Sequence, residues 1–334
     1  MSIAALFKQP LQPIINAYEE GISRDQIANI LKAIGLPIIG LLVFLLLWQQ
    51  ASNNIVTSLG NFPGPAEVVS QFKNLVGEHK EERAKVEKKY ERQRVRNEKK
   101  LERNPDAEIT WRDYKSRVTF FDQIGTSLFT VLCGFLVATL IAIPVGIIIG
   151  LSANTYAAIN PIIQTLKPVS PLAWLPLVTM VVSAVYVSDD PTVSKSFLVS
   201  MITVSLCCLW PTMINTAVGV AGVSKDLNNV SQVLRLGWLT HVRKIVLPFA
   251  VPMIFTGMRL SIGIAWMVLI AAEMLSQNPG LGKFVWDEFQ NGSSNSLGRI
   301  MVAIIVIGLI GFLLDRLMLM IQQWVNWDKS AVVR

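Results

Sequence analysis

QIGTSLFTVLCGFLVATLIAIPVGIIIGLSANTYAAINPIIQTL, from Gln123 to Leu166, contains no Asp, Glu, Lys or Arg. A second run without them extends from Ser196 to Ser224. Each outlasts the roughly 20 apolar residues that carry a helix across a bilayer. The 334-residue chain is 52% hydrophobic and 16% charged, where soluble domains carry roughly 25% charged residues. An ordinary soluble domain is excluded. So is an extended disordered chain, which needs low hydrophobicity and high charge. The expected fold class is an all-α integral membrane protein.

Outward from the quoted run, six crossings are expected, at about residues 34–51, 125–151, 161–187, 197–220, 249–275 and 300–324. Pro191, Gly237 and the cluster Asn291-Gly292-Ser293-Ser294 punctuate the connections. Trp48, Trp210, Trp324 and Trp327 fall where interfacial belts are expected. Residues 1–33 carry Glu19, Glu20 and Asp25 and lack an early apolar core, so they read as a cytoplasmic amphipathic lead-in and not as a cleaved signal peptide. Cys133, Cys207 and Cys208 lie inside apolar runs and read as small hydrophobes, not as a disulfide framework or a metal site.

The formal charge is +7, but no basic stripe with interleaved aromatics accompanies it, so no nucleic-acid partner is expected. The basic residues serve orientation instead. The loop 225–244 holds Lys225, Arg235, Arg243 and Lys244 against Asp226, which suits the cytoplasm. The loop 186–196 holds Asp189 and Asp190 against Lys195, which suits the outside. Parity then places both termini in the cytoplasm and the charged insert 78–117 in the periplasm. That insert has 14 basic and 10 acidic residues. Its part from Glu78 to Arg103 lacks an apolar stripe and reads as a solvated helix. It is either a docking surface for a soluble partner or a plain charged spacer.

The cytoplasmic loop reads SKDLNNVSQVLRLGWLTHVRKIVLP, Ser224 to Pro248. Ser224 suits a helix N-cap, and Leu227, Val230 and Leu234 repeat at helical spacing. Gly237 is expected to break that helix; a second short helix would reach Leu247, with Pro248 opening the next span. A helix–turn–helix held between two spans is a lever that transmits force from a soluble motor.

The ending Ile245-Val246-Leu247-Pro248 resembles the tail of the coupling loop in permease subunits of ATP-binding-cassette importers. With that family's spacing, its Glu-Ala-Ala falls on Asn229-Val230-Ser231 and its glycine on Arg235, two departures. The stretch Lys167-Pro168-Val169-Ser170-Pro171-Leu172-Ala173-Trp174-Leu175-Pro176 resembles the nitrate/sulfonate/taurine branch. So do Phe255-Thr256-Gly257-Met258-Arg259-Leu260 and Ala271-Ala272-Glu273-Met274-Leu275. The run Asn278-Pro279-Gly280-Leu281-Gly282-Lys283-Phe284-Val285-Trp286-Asp287 is similar to the nitrate permeases, some of which carry a charged insert of this kind. The resemblance implies a type I importer permease fold with its core at 121–324 and a multi-pass place in the bacterial inner membrane. It also implies a second permease copy, two ATP-binding subunits that hold ATP and Mg, and a periplasmic substrate-binding protein.

No cofactor is expected on this chain. A phosphate loop around Gly282-Lys283 would need glycine where Gln277 stands and Ser or Thr where Phe284 stands. His79 and His241 fall in different loops, and no nucleophile–base pair or metal cluster emerges, so the chain is not expected to be an enzyme. Charges inside a span are costly and usually functional. Arg259 and Glu273, the one acid expected within a span, share a helical face with Gly263, Trp266 and Ile270. That stripe either lines the translocation path, with Arg259 attracting an anion, or Arg259 pairs with a neighbouring helix and Glu273 sits at the outer interface. Pro168, Pro171 and Pro176 break the third span, so Ser170 and Trp174 border the path or the prolines only kink the helix. The expected cargo is nitrate, with nitrite, a sulfonate, taurine, cyanate and bicarbonate as alternatives. A gradient-driven carrier and a membrane sensor or scaffold are the rivals from other classes.

Overall fold

The computed structural model describes residues 32, 35–57, 60–104, 108–114, 116–187, 193–293 and 295–325. Most of the lead-in 1–33, together with Asp189, Asp190, Pro191, Ser294 and Trp327, lies outside the described residues.

The first crossing is α1, Leu36–Asn54, none of whose side chains is buried. It is tied to the rest at its C-terminal end, where the Trp48 indole N–H donates to the Pro63 carbonyl at 2.9 Å and the Ser52 hydroxyl to Phe62 at 2.7 Å. A two-residue hairpin follows, β1 (Val56–Thr57) antiparallel to β2 (Gly60–Asn61). Next comes α2, Pro65–Arg103, whose 39 residues span about 58 Å. It begins thirteen residues before the expected insert, at a proline in its first turn, where the missing N–H costs nothing.

Three helices make the core. They are α3 (Phe120–Leu151), α6 (Lys195–Ala221) and α9 (Leu247–Ser276). Thr119 and Asp122 close a capping box at the start of α3. The helix α6 is wedged between the other two, and small residues set the spacing. A Cβ at Gly146 or Gly150 of α3 would come within 2.7 or 2.6 Å of the Met213 or Ala217 carbonyl. A Cβ at Gly257 of α9 would come within 2.9 Å of the Pro211 carbonyl. Lipid tails give no hydrophobic drive between helices, so such close approach and cross-helix hydrogen bonds hold the bundle. Ser205 on α6 donates to the Gly134 carbonyl at 2.9 Å, and Thr212 lies 2.8 Å from Ser261 of α9. Trp210 sits among Ala142, Ile149 and Met213 in this core, so its expected interfacial place is corrected.

The third crossing starts earlier than expected and is broken between Leu166 and Pro171. It is a pair, α4 (Ala153–Leu166) and α5 (Pro171–Val185), bent by 99° at the break between them. Pro168 and Pro171 withhold two N–H groups, and Ser170, the residue before Pro171, is extended and not helical. Pro161, the expected start, lies inside α4. Between α6 and α9 lie α7 (Lys225–Val233) and α8 (Trp238–His241); α10 (Leu281–Asn291) and α11 (Ser296–Val325) complete the chain. Five runs are long and apolar enough to cross a membrane, or six if the bent pair counts as one. The all-α membrane architecture is thereby established.

Candidate functional site

At the end of the bundle where α6 gives way to α9, the Ser224 hydroxyl caps α7 by accepting from the Leu227 N–H at 3.4 Å. The helix closes on Arg235, whose φ of 48° is left-handed. There the Arg235 N–H donates to Gln232 at 3.0 Å and the Leu236 N–H to Ser231 at 3.1 Å. This pair of bonds round a left-handed residue is the usual glycine-type helix stop. The break therefore falls at Arg235 and not at Gly237, which caps α8 in an ordinary conformation with open space where a Cβ would stand.

No second turn separates this loop from the fifth crossing. The chain runs from Trp238 to Ser276 as one continuous candidate span. Pro248 lacks an N–H and its ring crowds the preceding turn. The chain absorbs this by widening to a π-type turn over Val242–Val246, where the Leu247 N–H reaches back to Val242. His241 Nδ1 lies 2.8 Å from the buried Ser231 hydroxyl and so clips α7 to the run that becomes α9. The result is a helix pair whose second arm is the membrane helix itself.

The surface of this loop is apolar and open. Val233, Leu239 and Trp238 are 81%, 71% and 63% exposed, and Val230 and Leu234 lie beside them. Asn229 is exposed and Ser231 buried. A cleft of about 1150 Å³ opens between the loop and the α3–α4 junction, with Ser231, Arg235, Trp238 and His241 on its wall.

The stripe on α9 is not an open face. Arg259 is bound at two points by Asp315 of α11, Nε to Oδ1 at 2.7 Å and Nη2 to Oδ2 at 2.9 Å. The Trp266 indole N–H, seven residues on, donates to the Ile307 carbonyl of α11 at 2.9 Å, and Ile270 packs on the core. These residues form the α9–α11 seam. Only Gly263 is exposed, with open space beyond it. Asp315 was missed, although it stands in the middle of the sixth apolar run. Its position alone marks it, since a carboxylate in a span needs a partner.

Glu273 is fully buried and not at an outer interface. Its carboxylate accepts from the Ser127 hydroxyl of α3 at 2.8 Å and from the Gly282 N–H at 3.0 Å. The Leu281 N–H donates to the same Ser127 oxygen at 2.8 Å. The turn after α9 is thus folded back onto α3. Gly280 and Gly282 lie so close to Glu273 and the Ile270 carbonyl that a Cβ at either would collide.

At the α4–α5 bend, Ser170 caps α5 by accepting from the Leu172 N–H at 3.3 Å. The Trp174 indole N–H is buried and has no partner among the described residues. The other end of the bundle carries α2. The Arg83 guanidinium pairs with Asp122 at the start of α3, and Arg299 of α11 pairs with Glu78 of α2 and, at 2.7 Å, with Glu288 of α10.

Residues 142–327 match the family described as "Binding-protein-dependent transport system inner membrane component". The nitrate import permease protein NrtB of Leptolyngbya laminosa is 40% identical over 197 residues, which are 59% of this chain and 66% of that one. The bicarbonate transport system permease protein CmpB of Synechococcus elongatus is 34% identical over 297 residues, 88% of this chain and 90% of that one. A putative aliphatic sulfonates transport permease protein, SsuC of Bacillus subtilis, is 30% identical over 223 residues, 66% of this chain and 76% of that one.

Proposed function

The chain belongs to the binding-protein-dependent inner membrane components, as a multi-pass permease of the nitrate, bicarbonate and sulfonate branch of ATP-binding-cassette importers, and we propose that it imports a small inorganic oxyanion. Partner subunits that hydrolyse ATP with Mg drive it from the end carrying α7 and α8. Two such subunits serve two copies of this chain, and a binding protein delivers the anion at the end carrying α2. Nitrate is the cargo the motif run 278–287 favours. Bicarbonate, which has the same planar oxygen arrangement, is the second reading because relatives of both names are similar to this chain over most of its core.

The observation that carries the driving mechanism is the exposed apolar surface of the lever together with its unbroken run into α9. A contiguous apolar patch on a water-facing loop marks a protein contact, and closure of a partner beneath it would turn α9 as a rigid body. The bend at α5 supports an anion path, because the buried Trp174 indole N–H is a donor with no partner there among the described residues. A gradient-driven carrier would use free carboxylates within the spans, whereas Asp315 and Glu273 are both engaged.

The test is tagged purification in mild detergent, then assay of any co-purified ATPase with binding protein and either nitrate or bicarbonate. A stoichiometric ATPase whose turnover rises with one anion is expected. Trp238→Ala with Leu239→Ala should cut its recovery roughly tenfold, as loss of interface anchors does. A chain that purifies alone and still transports would sink the reading.

A further inference from the structure

The charges of α2 are segregated by side. Lys88, Arg92, Arg96, Lys99 and Arg103 advance by four, four, three and four residues, so they stand on one face of the helix. Like charges at these spacings repel, and none of the five takes part in an ion pair among the described residues. They flank a cleft of about 1020 Å³ between α2 and the segment 108–114 that runs back along it; seven cations and a single acid, Glu91, line it. A second cleft of about 560 Å³ shares Lys88, Arg92 and Arg96 and adds Lys85 and Lys89, with no acid. The returning segment is pinned by Gln93, which donates to the Arg112 carbonyl and accepts from its N–H, both at 2.9 Å. One helical turn along, Asn97 is 5% exposed and lines the larger cleft, and its side-chain N–H2 is buried without a partner among the described residues.

A row of unpaired cations and a buried donor that lacks an acceptor are two independent signs of a missing negative ligand. A buried donor left unmade is costly, so native structures rarely keep one without a use. From Lys88 to Arg103 the row is about 22 Å long by helical rise, far longer than a single small anion. The cleft is an open groove with no enclosing cage of donors.

We propose that this groove is a docking surface for an acidic protein segment, whose carboxylates match the cation row and one of whose acceptors satisfies Asn97. The inference rests on the importer reading only for which protein brings that segment, the delivering partner at this end of the bundle. The groove's chemistry stands apart from it.

The test uses the full chain, purified in detergent, with a fluorescent polyglutamate peptide of about ten residues, long enough to span the row when extended. Saturable binding that weakens as salt is raised is expected. Arg92→Glu with Arg96→Glu should weaken it roughly tenfold or more. Asn97→Leu should weaken it a few-fold while raising the thermal midpoint of the free protein, a pairing that a purely structural asparagine would not give. The control Lys80→Glu with Arg94→Glu lies off the groove and should change nothing. Equal loss with the control pair, no binding at all, or preferential capture of inorganic phosphate or of phosphatidylglycerol vesicles would each overturn the proposal. None of these readings depends on ATPase recovery, so the importer reading and this one fail separately.

Discussion

Arg259 of α9 and Asp315 of α11 hold each other through two parallel hydrogen bonds inside the membrane-spanning bundle, 56 residues apart in sequence. With side chains 26% and 39% exposed, the pair is only partly shielded by its own chain. A planar guanidinium bound at two points is geometrically fixed and electrically matched. Removing either partner alone leaves a charge in a poorly solvated place, which costs about 2–4 kcal/mol. Arg259→Ala and Asp315→Ala should therefore each lower thermal stability in detergent, and the double variant should lose less than the sum. The exchanged pair, Arg259→Asp with Asp315→Arg, should recover much of both stability and uptake. Recovery of stability without uptake would show that Arg259 also meets the anion.

Glu273 works as an anchor for the turn behind α9, since its carboxylate and the Ser127 hydroxyl hold the backbone N–H groups of Gly282 and Leu281. Glu273→Gln should cost about 1–3 kcal/mol by weakening buried bonds. Gly282→Ala should cost more, because the added methyl group meets the Ile270 backbone carbonyl and not the end of a movable side chain. Limited proteolysis of residues 277–283 is the measurement. Equal resistance of the wild type and Gly282→Ala would refute the anchor.

The sequence shows helices and crossings well because lipid demands them. Charge-free runs such as Gln123–Leu166 have no other stable place. What it hides is pairing at long range. Nothing near Glu273 points to Ser127, 146 residues earlier, and the i, i+4, i+7 stripe from Arg259 looks equally good as a pore face or as a seam. Prolines show where the third crossing breaks, but the 99° angle comes from how α5 packs on α6 and α9. Pro248 misleads in the opposite sense: a proline in the first turn of α9 interrupts nothing once the turn before it widens. The expected break at Gly237 is two residues late, because the left-handed position is held by Arg235, where the family's spacing puts a glycine.

Outside the membrane, the segment returning along α2 is held at Arg117, whose N–H donates to Glu82 at 3.0 Å. That bond keeps the Glu82 carboxyl below the usual carboxylate range. A lowered value in the folded state means the bond stabilises above the ordinary carboxylate pKa, about 4.3. Its contribution disappears as pH falls through the lowered value. Hydrogen-exchange protection of the Arg117 amide should hold at neutral pH and decline only in strong acid. Glu82→Gln should abolish that pH dependence. An unchanged acid decline in the variant would place its origin elsewhere.

Arg235 stands in a conformation that L-residues other than Asn and Asp enter at a cost of about 1–2 kcal/mol. Glycine enters it freely but gives up more freedom on folding. Arg235→Gly should accordingly be neutral to about 1 kcal/mol stabilising, and should leave the closing bond from Leu236 to Ser231 intact. A β-branched residue is strained there, so Arg235→Val should expose the Leu236 amide to exchange and loosen α7 from α8. If α7 and α8 form the lever, that loosening has a functional signature. Arg235→Gly should keep the rise in ATPase turnover that the binding protein and anion bring, while Arg235→Val should keep ATPase recovery and lose much of the rise. Loss of both together would mean that the substitution had removed the docking face and not the stiffness behind it.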